Sequence, residues 1–403
     1  MADFWSDELR QRHGRIRAAL AASASSEPGG CAALITCMAN VIYASGRAAD
    51  AYIYMPAEGE PTMFVRRPLG LRPDDVGGME VKYISKPEQI PPLLEGAGIA
   101  APRALLLEDA QLSYAETVRL LRAFGDAKLL PGGSRLMHGV RCVKTRFEAG
   151  RLRETCERLS EAFALIPELF RPGMADFELG RAMEQELCRV GHLGMIRVFG
   201  RSIELPSGGA LLTGDNAANQ GPYDFAISGS GRDRTMPAGG NGTPIAEGQT
   251  LMVDFGCNVN GYIGDMTRSF AVGEVPAEVR RAHAVAVEAQ NLVARAAKPG
   301  AVCSELYGIA LRHAESNGLG SHFMGYGQQS KFIGHGVGLE LNELPIIAPK
   351  IDMRLEEGMA IALEPKFAFP GVGAVGIENT FLVAADGLTR LTIGSDDLGS
   401  LPA

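Results

Sequence analysis

The chain has 403 residues, 46% hydrophobic and 21% charged, the proportions of an ordinary globular protein long enough for two domains. A formal net charge of −8 without any dense Lys/Arg run offers no surface for tracking phosphates, so nucleic acid is not an expected partner. Seven scattered cysteines with no Cys-x-x-Cys pair argue against a disulfide framework or zinc ribbon and are expected to be buried thiols.

Residues 1–20 lack the charged-then-apolar plan of a secretory leader, and no apolar run reaches membrane-spanning length; a cytoplasmic protein without membrane contact is the expectation. From about residue 6 to 24 apolar positions recur on one helical face. "CAALITC", "NVIYASG", "PTMFVRR" and "RALLLED" then read as strands between Gly/Pro turns, which gives an α/β domain ending near residue 135. Leu152, Cys156, Leu159, Phe163 and Ile166 step along one face of a 3.6-residue period and predict a helix. A second helix runs from Asp176, an expected N-cap, to Gly191, with Leu179, Met183 and Leu187 at helical spacing. Two more are expected, one after Pro276 up to "KPG" and one from Ser304 to Gly318. Residues 320–396 read as strands, and 221–248 as a Gly-rich loop.

The stretch "LMVDFGCNVNGYIGDMTRSF" sets Asp254 and Asp265 in an apolar hairpin around Asn260-Gly261, a pair suited to a type I′ turn. With the turn centred there, Asp254 faces Thr267 and Gly256 faces Asp265. The two carboxylates become diagonal neighbours on one face, their α-carbons roughly 7 to 8 Å apart. Glu364 and Glu378 sit symmetrically about Gly371, so a hairpin there sets them opposite each other. Paired carboxylates in an apolar sheet repel and are costly to desolvate, so each pair calls for a cation or a proton. Two pairs make divalent metal the economical answer, and His335 in "GHGVGLEL" is the candidate nitrogen ligand.

"VDFG", "GYIGDMTRSF", "GHGVGLEL", "ALEP" and "GIEN" resemble, in order and spacing, the motifs of the pita-bread metallopeptidases, the family of methionine aminopeptidase, aminopeptidase P, prolidase and creatinase. The resemblance is greatest to the Xaa-Pro peptidases. It implies an α/β creatinase-like N-terminal domain over residues 1–135 and an α+β pita-bread catalytic domain over 140–403. It also implies Asp254, Asp265, His335, Glu364 and Glu378 as ligands of two divalent ions (manganese, cobalt, iron or zinc), with Asp265 and Glu378 bridging. A metal-bridging hydroxide would attack the N-terminal bond of a short peptide, Glu364 taking the water's proton and Thr267 orienting a ligand. A homodimer is expected on the same ground.

The sequence departs from the pattern at two places. Where the family carries a histidine after proline, Ala238 follows Pro237, and Asn342 stands where prolidase-like members have a histidine after the metal-binding one. Asn342 is expected to donate one hydrogen bond to the reacting amide, and Arg232, Arg234 or Asn241 the other; Arg201 and Tyr326 are weaker candidates for gripping a substrate carboxylate, and His322 is expected to be a surface or core histidine rather than a group that approaches the site. The alternatives are metal-dependent hydrolysis of a C–N bond in a small amide metabolite, or a silent binding module. Retention of all five ligands weighs against the last.

Overall fold

The computed structural model describes residues 2–23, 30–125, 127–200, 208–223 and 225–403. The chain forms two compact units, Met1–Arg141 and Cys142–Ala403. The first is built on six strands, β1 (Cys31–Ile35), β2 (Asp50–Pro56), β3 (Thr62–Arg67), β4 (Glu80–Tyr83), β5 (Ala104–Leu107) and β6 (Lys128–Leu130), in the order β4-β3-β2-β1-β5-β6. The central β1 and β5 pair in parallel and are buried along their whole length, as their unbroken apolar runs require. Ala32, Leu34, Leu105 and Leu107 form a core with Leu94 and Leu120 of the covering helices.

"NVIYASG", expected as a strand, is instead the end of a helix, Met38–Ser45. Its β-branched residues favour strand only weakly, and a contact from a distant part of the chain prevails. The buried carboxylate of Glu108 accepts from the backbone N–H groups of Thr36 and Cys37 (2.5 and 2.6 Å) and from the Asn40 amide (2.5 Å), supplying an anion where a helix begins. Gly46, at φ +69°, ends it.

The second unit carries β7 (Gly209–Thr213), β8 (Thr250–Asn258), β9 (Ile263–Val272), β10 (Gly334–Gly336), β11 (Glu343–Ile347), β12 (Ala360–Leu363), β13 (Lys366–Phe369), β14 (Gly373–Gly376), β15 (Asn379–Ala384), β16 (Gly387–Arg390) and β17 (Gly399–Leu401). They form sheets ordered β17-β9-β8-β7 and β11-β10-β12-β15-β16, with β13 and β14 as a separate hairpin. Helices Arg146–Phe163 and Asp176–Arg189 pack Leu159, Phe163, Leu179 and Leu187 on Leu251 and Val253 of the first sheet. Ala277–Ala296 and Cys303–Ser316 bury Val279, Val293, Leu306 and Ala310 against Phe367, Val375 and Phe381.

Several expectations need correction here. The helix predicted through Ile166 breaks after Phe163, and Ile166 opens a separate turn, Ile166–Leu169. Asp176 is a first-turn residue with Ala175 at the N-cap; its buried carboxylate accepts instead from the N–H groups of Asn241 (3.0 Å) and Gly242 (2.8 Å), which ties down the Gly-rich loop. Cys188 is exposed and Cys37 half-buried, although the other five cysteines are buried.

Candidate metal centre

The β8–β9 hairpin has the expected register, with Asp254 opposite Thr267 and Gly256 opposite Asp265. Its turn differs. Residues 259–262 all lie outside the strands, and only Gly261 takes a positive φ, +97°, so a type I′ turn with Asn260 left-handed is not what sets the register. The four-residue loop is nonetheless centred on Asn260-Gly261, and nine consecutive pairs from Thr250–Ala271 to Asn258–Ile263 hold the register.

Glu364 and Glu378 lie opposite each other between two sets of paired residues. Leu363 faces Asn379 on one side and Lys366 faces Gly376 on the other. The two hairpins interlock where Thr267 and Glu378 exchange backbone hydrogen bonds of 3.3 and 3.2 Å. Thr267 Oγ1 also donates to Glu378 Oε2 at 2.8 Å, so the ligand it orients is Glu378 rather than its cross-strand partner Asp254. Behind the junction, the buried Arg268 guanidinium donates to the carbonyls of Thr267 (2.7 Å) and Glu378 (2.9 Å); burial pulls its pKa down to about 10.

His335, in β10, brings the nitrogen. Its Nδ1 donates to the Gly336 carbonyl at 3.2 Å, which leaves Nε2 with its lone pair toward the carboxylates. Around Nε2 lie Glu364 Oε1 at 3.5 Å, Asp265 Oδ2 at 3.8 Å and Glu378 Oε1 at 3.9 Å. These separations are too long for hydrogen bonds and suit neighbouring ligands that each lie about 2.1 Å from a shared ion. Glu378 Oε1 is buried with no hydrogen-bond partner. Burial, and after it the charge of Asp254, push Asp265 up to about 7; burial and then Asp265 hold Glu378 well above the usual carboxylate range. The orphaned acceptor, the raised carboxylates and the oxygen-rich donor set with one imidazole all fit one divalent cation among Asp265, His335 and Glu378.

The opposite corner brings oxygens of Asp254, Glu364 and Glu378 close enough to hold an ion, and a cationic side chain already stands among them. The Nζ of Lys366, a fully buried residue, lies 2.8 Å from Asp254 Oδ2, 2.6 Å from Glu364 Oε2 and 3.3 Å from Glu378 Oε2. Burial pulls its pKa down, but the three carboxylates outweigh that and hold it well above the ordinary lysine value. In the sequence this lysine directly follows "ALEP" and heads the otherwise apolar strand "KFAF", a charge in a buried strand that marks it for a role at the site.

The remaining candidates are largely committed elsewhere. Asn342, expected to face the reacting amide, accepts from the Phe199 N–H and donates to the Phe199 carbonyl, both at 2.7 Å. Asn241 folds back on Thr243 and Ser230. Arg232 stacks over Phe177 at 4.2 Å, and Arg234 is exposed. Arg232 and Ala238 line an apolar cleft of about 410 Å³ with Phe177, Met236 and Phe255. His322 Nδ1 bonds the Ala368 carbonyl at 2.8 Å and its ring stacks on Phe369, while Tyr326 is exposed. Arg201 lies outside the described residues.

Two crossing hairpins that converge four carboxylates beside the imidazole carried by β10, covered by two pairs of helices, define a metallopeptidase scaffold of the pita-bread type. Residues 150–385 match the model of metallopeptidase family M24, and the chain belongs to that family. A Xaa-Pro dipeptidase of Pyrococcus furiosus is 35% identical over 178 residues, 44% of this chain and 49% of that protein, so the chain matches about half that relative's length. A Xaa-Pro dipeptidase of Lactobacillus delbrueckii subsp. lactis is 29% identical over 298 residues, 73% of this chain and 72% of that one. The structure of a Xaa-Pro dipeptidase from Bacillus anthracis covers 98% of this chain with a TM-score of 0.79 at 22% identity, which establishes the shared fold of an N-terminal domain followed by a pita-bread domain. Among the described residues no helix is long and apolar enough to cross a membrane.

Proposed function

We propose that this chain is a metal-dependent peptidase that removes the N-terminal residue from short peptides, with proline after the scissile bond. The observation that carries the reading is the convergence of Asp265, His335 and Glu378 on one point, with Glu378 Oε1 buried and unpartnered. The Xaa-Pro dipeptidases similar in sequence support the substrate class. A divalent ion held there would act as a Lewis acid, polarising the scissile carbonyl and lowering the pKa of the attacking water.

The chain's own groups do the rest. Glu364 has Oε2 held by Lys366 and Oε1 turned toward His335 Nε2 at 3.5 Å, so Oε1 is the atom that takes the proton as water attacks. That proton passes to the leaving nitrogen as the C–N bond breaks, giving a carboxylic acid and a secondary amine, and the acid's proton then moves to the amine to leave a carboxylate and an ammonium. Thr267 and Arg268 fix Glu378 by its side chain and its carbonyl. A second reading, hydrolysis of a C–N bond in a small amide metabolite, draws on Asn342, whose amide is engaged by Phe199 rather than facing a peptide.

Release of free amino acids from a panel of Xaa-Pro and non-proline dipeptides, by protein of verified metal content, tests the proposal. Cleavage that a chelator abolishes is expected, and Asp265→Ala should lose both bound metal and turnover. Metal-loaded protein that cleaves no dipeptide would overturn the peptidase reading, and unchanged metal content in Asp265→Ala would overturn the ligand assignment.

A further inference from the structure

We propose that the Lys366 ammonium is a built-in cation that permanently fills the corner among Asp254, Glu364 and Glu378, so that this centre takes a single divalent ion, on the Asp265, His335 and Glu378 side. The proposal rests on the metal-dependent reading of the site and replaces the expected pair of ions by one ion and one side chain.

The geometry carries it in three steps. First, the ammonium is coordinated as an ion would be. Three carboxylate oxygens from three separate segments, β8, the β12–β13 link and the β14–β15 link, surround Nζ at 2.6 to 3.3 Å. An ammonium has three N–H donors, and three carboxylates account for them all. None is left to point at a substrate, which makes Lys366 a positioning residue.

Second, the oxygens divide between the two corners. Lys366 takes Glu364 Oε2 and Glu378 Oε2, while Oε1 of both residues turns toward His335 Nε2. Glu378 and Glu364 therefore connect an ammonium to a metal position rather than one metal to another. A second ion would have to sit about 2.1 Å from the oxygens that already hold Nζ, and the two positive charges would overlap in space.

Third, the path of the lysine is built into the fold. Opposite Lys366 in the β13–β14 hairpin stands Gly376; a Cβ there would meet the Lys366 Cα and Cγ at 2.7 Å and the Pro365 carbonyl oxygen at 2.6 Å. The aliphatic stem runs through the space a side chain would take.

The test is metal stoichiometry. The full-length protein, stripped with chelator and reconstituted with excess manganese(II), is desalted and its bound metal counted by elemental analysis, beside Lys366→Ala treated identically. One ion per chain in the wild type and two in Lys366→Ala are expected. Two ions in the wild type, or none, would overturn the proposal, and one ion in a folded Lys366→Ala would show that the ammonium is not what excludes the second. Should Lys366→Ala fail to fold, electron paramagnetic resonance of the manganese-loaded wild type decides. The hyperfine pattern of an isolated ion supports the proposal, and that of an exchange-coupled pair overturns it. Since none of these readouts uses a substrate, an inactive protein holding one ion would remove the peptidase reading and leave this one standing.

Discussion

Thr267 shows how much a single hydroxyl can govern in this site. It is fully buried, its Oγ1 donates to Glu378 Oε2, and that oxygen otherwise has only the longer contact to Lys366. Thr267→Val keeps the volume and the β-branch but leaves the carboxylate free to rotate, so Oε1 is no longer aimed toward His335. Partners behind a ligand of this kind typically govern 10- to 100-fold in metal affinity. We expect manganese affinity of Thr267→Val, measured by calorimetric titration, to fall by about that factor; Thr267→Ser, which retains the donor, should stay close to wild type. Equal affinity in all three proteins would show that Arg268 and the backbone position Glu378 unaided.

At the scale of elements, the helix Ala277–Ala296 carries a titrating group outside the centre. His283 is buried, its Nε2 donates to the Asp396 carbonyl at 2.8 Å, and its Nδ1 has no partner. Burial lowers its pKa, the Asp396 hydrogen bond opposes that, and the nearby Arg268 adds to the lowering, with Asp396 and Asp397 acting against it. A histidine held neutral in the folded chain contributes stability that is complete above the usual value of about 6.5 and is lost as pH falls below it, where the unfolded chain binds the proton first. The loss is at most about 1.4 kcal/mol per pH unit. His283→Gln should therefore flatten the acid limb of a denaturation-midpoint profile below pH 6.5; an unchanged limb would place the sensitivity in other groups. The same scale marks what could be read from sequence. The facing positions of both carboxylate hairpins were legible because each hairpin is symmetric about a turn the sequence marks, Asn260-Gly261 in one and Gly371 in the other. "NVIYASG" was not, because its helix depends on Glu108, some seventy residues further along the chain. Lys366 escaped for a similar reason: its three partners meet only once β8, β12 and β14 are assembled.

The whole molecule divides its labour in a way that one experiment can read. All five carboxylate and imidazole groups of the centre belong to the unit Cys142–Ala403, whereas the chain's single tryptophan, Trp5, lies on the first helix of the unit Met1–Arg141. An ion that binds the folded state alone stabilises what it binds by mass action, about 2.7 kcal/mol at a hundredfold excess over the dissociation constant. If the units unfold independently, manganese should raise the midpoint of the second unit, followed by calorimetry, and leave the Trp5 fluorescence transition where it was. A Trp5 transition that moves in step with the calorimetric one would mean that the two units unfold as one cooperative body. No metal-dependent shift in either signal would argue against an ion in the second unit, because buried carboxylates that lose their cation must lose stability with it.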